Sequence, residues 1–329
     1  MLSIIAFSIL VSCSQLGDTT YQNPNESADK QIAISLKVPE FKDDTAYSYI
    51  KKQVDFGPRI PGTLEHRSCG IFLKEKIEKY SDNLILQETE VKLFDGSRVP
   101  MLNIIGEFNP EISKRIMLCA HWDTRPFADQ DSINRDQPID GANDGASGVG
   151  ILLEIARQLH INSPQIGVDI ILFDVEDYGQ PDNMNGQYKT NTWCLGSQHW
   201  SKSMHRKNYF PESSILLDMV GGIDAKFTME GNSMKFAPSL MKKLWNIAAQ
   251  NGYSNYFIFS ETHPIIDDHV YINQLAGIPC IDIVHYDAET PSNFGKFWHT
   301  HKDNIEIIDK KTLKAVGQTL LVFIYHSTI

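Results

Sequence analysis

Cysteine is scarce in this chain, and the features that most often assign a protein to a class at a glance are missing. Five cysteines occur in 329 residues. No two have C-x-x-C spacing, which excludes the common thiolate zinc sites. Basic residues are outnumbered, with 30 Lys and Arg against 41 Asp and Glu, for a net charge of -11. Nothing in that balance supplies the basic stripe a nucleic-acid partner requires. Residues 2–11 form an apolar run, but it is about half the length of a bilayer-spanning helix. No internal repeat divides the chain, so it is not read as a solenoid. What is present is ordinary for a globular protein: 42% hydrophobic and 22% charged residues, in a length that suits one large α/β domain or two smaller ones.

The run at residues 2–11 suits the core of an export signal, although no Lys or Arg stands ahead of it. It leads into Leu10-Val11-Ser12-Cys13, which resembles a bacterial lipobox, whose Cys becomes the lipidated first residue of the mature chain. The expected organisation is a signal over 1–13, a polar tether over 14–40 and one folded domain over 41–329. Acylation of Cys13 implies a membrane-anchored lipoprotein of a Gram-negative bacterium, periplasmic or on the outer surface. Of the other cysteines, Cys119 and Cys280 lie in apolar strand-like runs and read as small buried hydrophobes. Disulfide pairing among Cys69, Cys119, Cys194 and Cys280 stays open, as does the oligomeric state.

Apolar periodicity predicts helices over 45–56, 65–80, 145–159, 238–250 and 309–325, and strands over 102–108, 115–121, 168–173, 214–219, 257–260 and 280–285. The first turn of the helix at 145 is rich in Ala, Gly and Ser, which permits close backbone approach. Strands alternating with helices argue for a three-layer α/β/α sandwich around a central mixed, largely parallel twisted sheet. Two connections, 125–139 and 178–192, are long for a compact domain and follow strands ending in His or acid, so they are candidate site walls.

Those strand ends carry the chemistry. Phe173-Asp174-Val175-Glu176-Asp177-Tyr178 puts three carboxylates where a buried strand should be finishing. Burying ionised carboxylates is costly unless a metal or hydrogen bonds compensate. The carboxyl ends of parallel strands are also where open α/β sheets place their ligands. Cys119-Ala120-His121-Trp122-Asp123 closes another strand with His and Asp, and Asp144 stands just ahead of a helix. Asp218 ends a third strand, and His299 follows Trp298 near the carboxyl terminus. Taken singly, His121 reads equally as a core histidine and Asp144 as a helix cap. Together, imidazole and carboxylate donors without thiolate suit catalytic zinc or a similar divalent ion.

The series His121-x-Asp123, Asp140-Gly-Ala-Asn-Asp144-Gly-Ala-Ser-Gly148, Glu176-Asp177, Asp218 and His299 resembles the zinc-dependent aminopeptidase superfamily with co-catalytic metals, from about Tyr47 onward. That resemblance implies one metal site of Asp144, Asp177 and His299, a second of His121, Asp144 and Asp218, and Glu176 as general acid/base. Within the superfamily the chain is more similar to the glutaminyl cyclases, which use a single zinc. Ile266-Asp267-Asp268-His269, Trp298 directly before His299, and Trp193 in Thr192-Trp193-Cys194 carry this second likeness. It implies Glu176, Asp218 and Asp267 as catalytic residues, Trp193 and Trp298 as substrate walls, one Zn2+ with two still open, and peptides with N-terminal Gln as substrates. Two departures stand out. Asp177 replaces the Glu usual in the animal enzymes, and Ile281-Asp282-Ile283 stands where they carry a His, so the role of Asp282 is open.

Overall fold

The computed structural model describes residues 37–181 and 189–327, and the expected signal, Cys13 and nearly all of the tether lie outside them. Leu36–Ile329 form one compact unit. In chain order its elements are α1 (Asp43–Val54), α2 (Leu64–Tyr80), β1 (Asn83–Lys92), β2 (Arg98–Phe108), β3 (Arg115–His121), α3 (Ala146–Ile161), β4 (Gly167–Phe173) and α4 (Leu195–Lys202). They continue with β5 (Ser213–Asp218), β6 (Phe227–Met229), α5 (Gly231–Phe236), α6 (Pro238–Gln250), β7 (Phe257–Glu261), α7 (Asp268–Tyr271), β8 (Cys280–Val284) and α8 (Lys310–His326).

Six strands make the central sheet in the order β1-β2-β4-β3-β5-β8, and β6 pairs with β7 in a separate two-stranded sheet. The β4–β3, β3–β5 and β5–β8 pairings are parallel, while β1–β2 and β2–β4 are antiparallel. Every residue of β3, β4 and β8 is buried, as expected for strands covered on both faces. Alternate side chains serve different layers. Leu118, Ala120, Ile170, Leu172, Ile215 and Leu217 enter the large core beneath α1, α2, α3, α6 and α8. Met117, Cys119, Ile171, Phe173 and Leu216 face the opposite way, against Trp200 of α4, Tyr209 and Ile272. The sandwich is therefore three-layered with a mixed sheet, as the sequence predicts. Gly148, in the first turn of α3, shows why small residues are needed there: a Cβ would lie 2.5 Å from the Leu217 carbonyl oxygen.

Two differences from the sequence reading have physical causes, and one open question is answered. Strand β1 escapes periodicity because it is a partly exposed edge strand mixing Leu and Ile with Gln, Glu and Lys. The final residues of the expected tether pack on the fold: Val38 lies against the core, and the Pro39 and Glu40 carbonyls accept from Gln318 and Gln158. Finally, Cys69, Cys119, Cys194 and Cys280 are all free and buried.

The amino-terminal ends of the strands are tied by Arg115. Its guanidinium grips Asp169 of β4 through both oxygens, at 2.8 and 2.6 Å. The same group donates to the carbonyls of Asn109, Ile112, Phe108 and Val168. Tyr209 donates its hydroxyl to the same carboxylate at 2.7 Å. Arg115→Met would leave the Asp169 charge buried without its partner, a loss of about 3–5 kcal/mol. The expected result is a lower urea midpoint at unchanged slope, with the metal-ligand candidates at the opposite strand ends unaltered.

Candidate metal centre

At the carboxyl end of the parallel strands the predicted residues converge. His121 is the last residue of β3 and Asp218 the last of β5. Asp144 lies two residues ahead of α3, and Glu176 and Asp177 follow β4. The segment after β8 brings in His299. His121 Nε2 lies 3.0 Å from Asp144 Oδ1 and 3.2 Å from Asp218 Oδ1. His299 Nε2 lies 3.2 Å from Asp177 Oδ1 and 3.7 Å from Asp144 Oδ2. Asp144 thus stands between two donor triads, His121/Asp144/Asp218 and Asp144/Asp177/His299. In each, one ligand atom per residue falls within 4.8 Å of the others. All five residues are buried, and Asp177 Oδ2 has no hydrogen-bond partner among the described residues. Two imidazoles and three carboxylates in that geometry fit a divalent metal, zinc included.

Electrostatics agree with a site built for a cation. Burial, reinforced by the Asp144 charge, pushes the Asp177 carboxyl up to about 6 and that of Asp218 up to about 8. Burial also holds Glu176 well above the usual carboxylate range. For Asp144 burial is again the largest influence and acts in the same direction, but the bond to His121 and the charges of His121, His299 and Arg125 together outweigh it and keep the carboxyl below its ordinary value. A metal ion here would substitute for protons the cluster otherwise retains.

In front of the two triads lies a cavity of about 150 Å3 lined by Glu176, Trp193, Asp218, Met219, Asp267, Phe294 and Trp298 together with Asp144, Asp177 and His299. It is smaller than the roughly 300–1,000 Å3 typical of pockets that enclose whole small molecules, and so suits a single side chain. Trp298 stacks on His299 with ring centres 3.8 Å apart, and Trp193 lies parallel to the same imidazole at 5.9 Å. Asp267 caps α7 through the backbone N–H of Asp268. A larger groove of about 580 Å3 between α2 and the β1–β2 hairpin contains none of the predicted site residues.

Sequence reasoning gave no role to several residues that hold this arrangement. Asp123 accepts the backbone N–H groups of Glu176 and Asp177 at 3.0 and 3.1 Å. Asp303 does the same for Asn143 and Asp144 at 2.7 and 3.0 Å. Cys194 donates its thiol to Glu176 Oε1 at 3.0 Å. Asp174, the third carboxylate of the opening run, turns away from the cavity. It bonds His66 at 2.9 Å and accepts the Leu102 and Val175 N–H groups. Of these, Asp123, Asp174 and Cys194 lay in motifs already quoted, though without a role of their own; Asp303 stands in an unremarkable loop. The long connection after Arg125 supplies Arg125 and Asp129 behind His299, while residues 182–188 of the other expected wall lie outside the described residues.

Residues 103–324 match the model of Peptidase family M28. Among solved structures the chain is similar to the glutaminyl cyclase of Bacteroides thetaiotaomicron, with 50% identity, 89% of this chain and 100% of that one covered, and a TM-score of 0.87. It is comparably similar to a leucine aminopeptidase precursor from the same organism, with 49% identity, 89% and 100% covered, and a TM-score of 0.86. A curated relative, the glutaminyl-peptide cyclotransferase of Gloydius blomhoffii, is 25% identical over 248 residues, which are 68% of this chain and 64% of the relative's length. A family match over two thirds of the chain, on a fold and donor set that accommodate it, leads to one conclusion: the chain belongs to peptidase family M28.

Proposed function

We propose that the protein is a zinc-dependent glutaminyl-peptide cyclotransferase, converting the N-terminal glutamine of peptides or proteins to pyroglutamate with release of ammonia. The observation that carries this reading is the cavity itself: side-chain-sized, walled by Trp193 and Trp298, and carrying Glu176, Asp218 and Asp267 beside the Asp144/Asp177/His299 triad. Asp144, Asp177 and His299 would hold the zinc, which supplies Lewis-acid polarisation of the γ-amide carbonyl.

The remaining work falls to the chain's own groups. Trp193 and Trp298 pack the glutamine side chain into the rotamer from which its α-amine reaches the γ-carbon, so that ring closure is intramolecular. A carbon–nitrogen bond forms between the α-amine and the γ-carbon, and the bond from that carbon to the amide nitrogen breaks. Glu176 takes the proton from the attacking amine and returns it to the departing nitrogen, which leaves as ammonia. Asp218 and Asp267, which line the same cavity, orient the two nitrogens. A pocket of side-chain size, once filled by the substrate, leaves little room for water to attack the same carbon.

A second reading has its own observation. The His121/Asp144/Asp218 triad could take a second ion, and Glu176 would then activate a water as in a two-metal aminopeptidase. Incubation with Gln-initiated and Leu-initiated peptides separates the two readings. Ammonia release and loss of one ammonia in mass from the first peptide is the expected result, whereas free leucine from the second establishes the peptidase. Glu176→Gln should lower kcat for cyclisation by about 10²–10⁴-fold; unchanged turnover removes Glu176 from the reaction. Cys13 is read as the acylated residue that anchors the enzyme to a membrane on the exported side. Cys13→Ser should abolish incorporation of labelled palmitate and move the protein from the membrane fraction to the soluble one.

A further inference from the structure

The two donor triads are chemically alike, but their surroundings differ. A metal-ligating histidine holds its orientation by donating its other ring nitrogen to a carboxylate or carbonyl, and loss of such a partner typically weakens metal binding. His299 has that partner: its Nδ1 lies 3.2 Å from Asp129 Oδ1. Asp129 is itself fixed by both arms of the Arg125 guanidinium, at 2.8 and 2.6 Å. Arg125 then reaches the second ligand of the same triad, donating through Nη1 to the Asp177 carbonyl at 2.9 Å and to the Gly179 carbonyl at 3.3 Å. Its guanidinium also lies 4.4 Å over the Trp193 ring. Arg125 and Asp129 are both buried, so the fork is shielded from solvent and keeps its geometry.

His121 has a looser counterpart in Asp123. Its Nδ1 has no hydrogen-bond partner among the described residues, and the nearest carboxylate oxygen, Asp123 Oδ1, lies 3.5 Å away. Both Asp123 oxygens are already engaged by the backbone of Glu176 and Asp177. The imidazole of one triad is clamped by a carboxylate that an arginine fixes, and that of the other faces a longer contact to a carboxylate already shared with two amides.

We infer that Arg125 and Asp129 are positioning residues that make the two halves of the site unequal: they fix the ion on Asp144, Asp177 and His299 and leave His121, Asp144 and Asp218 the weaker position. The inference rests on the reading of the site as a zinc centre. It does not depend on which reaction that centre performs. Arg125 acts on two ligands at once, on Asp177 through its backbone carbonyl and on His299 through Asp129. The same side chain lies over the ring of Trp193, so the clamp also supports that wall of the cavity.

The test is a zinc affinity measured on the metal-stripped full chain by competition with a chromophoric chelator, with circular dichroism as the check on folding. Asp129→Asn should weaken the first zinc about 10–100-fold. Asp129→Glu, which keeps the carboxylate, should recover most of that loss, and His121→Ala should change the first affinity less than twofold. Equal affinity in Asp129→Asn and wild type overturns the inference, as does a loss in His121→Ala matching that in Asp129→Asn. Should Asp129→Asn fail to fold, Arg125→Lys serves in its place, since a point charge cannot reproduce the fork; an unchanged affinity there is equally fatal. Absence of zinc binding by the wild type removes the zinc reading and this inference together. Zinc binding with the expected pattern but without cyclisation leaves the inference standing and removes the cyclase.

Discussion

Like charges held together out of water are the constraint on which this molecule is organised. Asp144, Glu176, Asp177, Asp218 and Asp267 are drawn to one small cavity. Two unit charges about 4 Å apart repel by roughly 4 kcal/mol at an effective dielectric near 20. Without compensation the cluster answers by holding protons, as the elevated carboxyls of Glu176, Asp177 and Asp218 indicate. A divalent cation is the other answer, and the interleaved imidazoles of His121 and His299 make it the better one. The rest of the fold serves to stop these groups from moving apart.

That restraint comes largely from a second set of carboxylates directed at backbone rather than at the cavity. Asp123 holds the amides of Glu176 and Asp177, Asp303 those of Asn143 and Asp144, and Asp174 those of Leu102 and Val175. Each satisfies backbone donors, most of them buried in the segments that leave the strands, and each fixes a segment bearing or adjoining a cavity-facing acid. The division between acids that face the cavity and acids that face the chain is geometric rather than electrostatic, because burial raises the Asp174 and Asp303 carboxyls as well.

How legible this was differs from part to part. Strands β3, β4 and β5 and helices α3 and α8 could be read because burial on both faces, or a wide apolar stripe, leaves a strong periodic mark. Strand β1 could not, since an edge strand with one wet side has little reason to alternate cleanly. For the site, His121, Asp177 and Asp218 were visible because polar residues interrupt apolar runs where strands end, and Asp144 and His299 because the motif series resembles the aminopeptidase superfamily. The supporting groups were not. Asp129, Asp303 and Cys194 sit in loops where an acid or a thiol is unremarkable, and only the folded chain reveals which amide or imidazole each one meets. Asp174 and Asp177 look alike in sequence, yet one holds a histidine and two amides while the other faces the cavity.

Backbone conformation explains how neighbouring residues can share one cavity at all. In a regular strand, successive side chains point to opposite faces, yet Glu176 and Asp177 line the same cavity, as do Asp218 with Met219 and Trp298 with His299. Each pair includes or directly follows a residue in the left-handed region: Val175 at φ 54°, Met219 at φ 49° and His299 at φ 52°. For a β-branched residue such as Val175 that conformation is a true outlier, and each such residue costs on the order of 1–3 kcal/mol. Local bonds offset the strain. Val175 donates to Asp174 and accepts from the Leu195 amide, the Val220 amide beyond Met219 donates to Ser147 Oγ, and the His299 carbonyl accepts from Gln130. The left-handed step breaks the alternation and swings two consecutive side chains onto one wall. Crowding five carboxylates and two tryptophans around so small a volume therefore requires strained turns around the cavity, and bonds to Asp174, Ser147 and Gln130 make those turns tolerable.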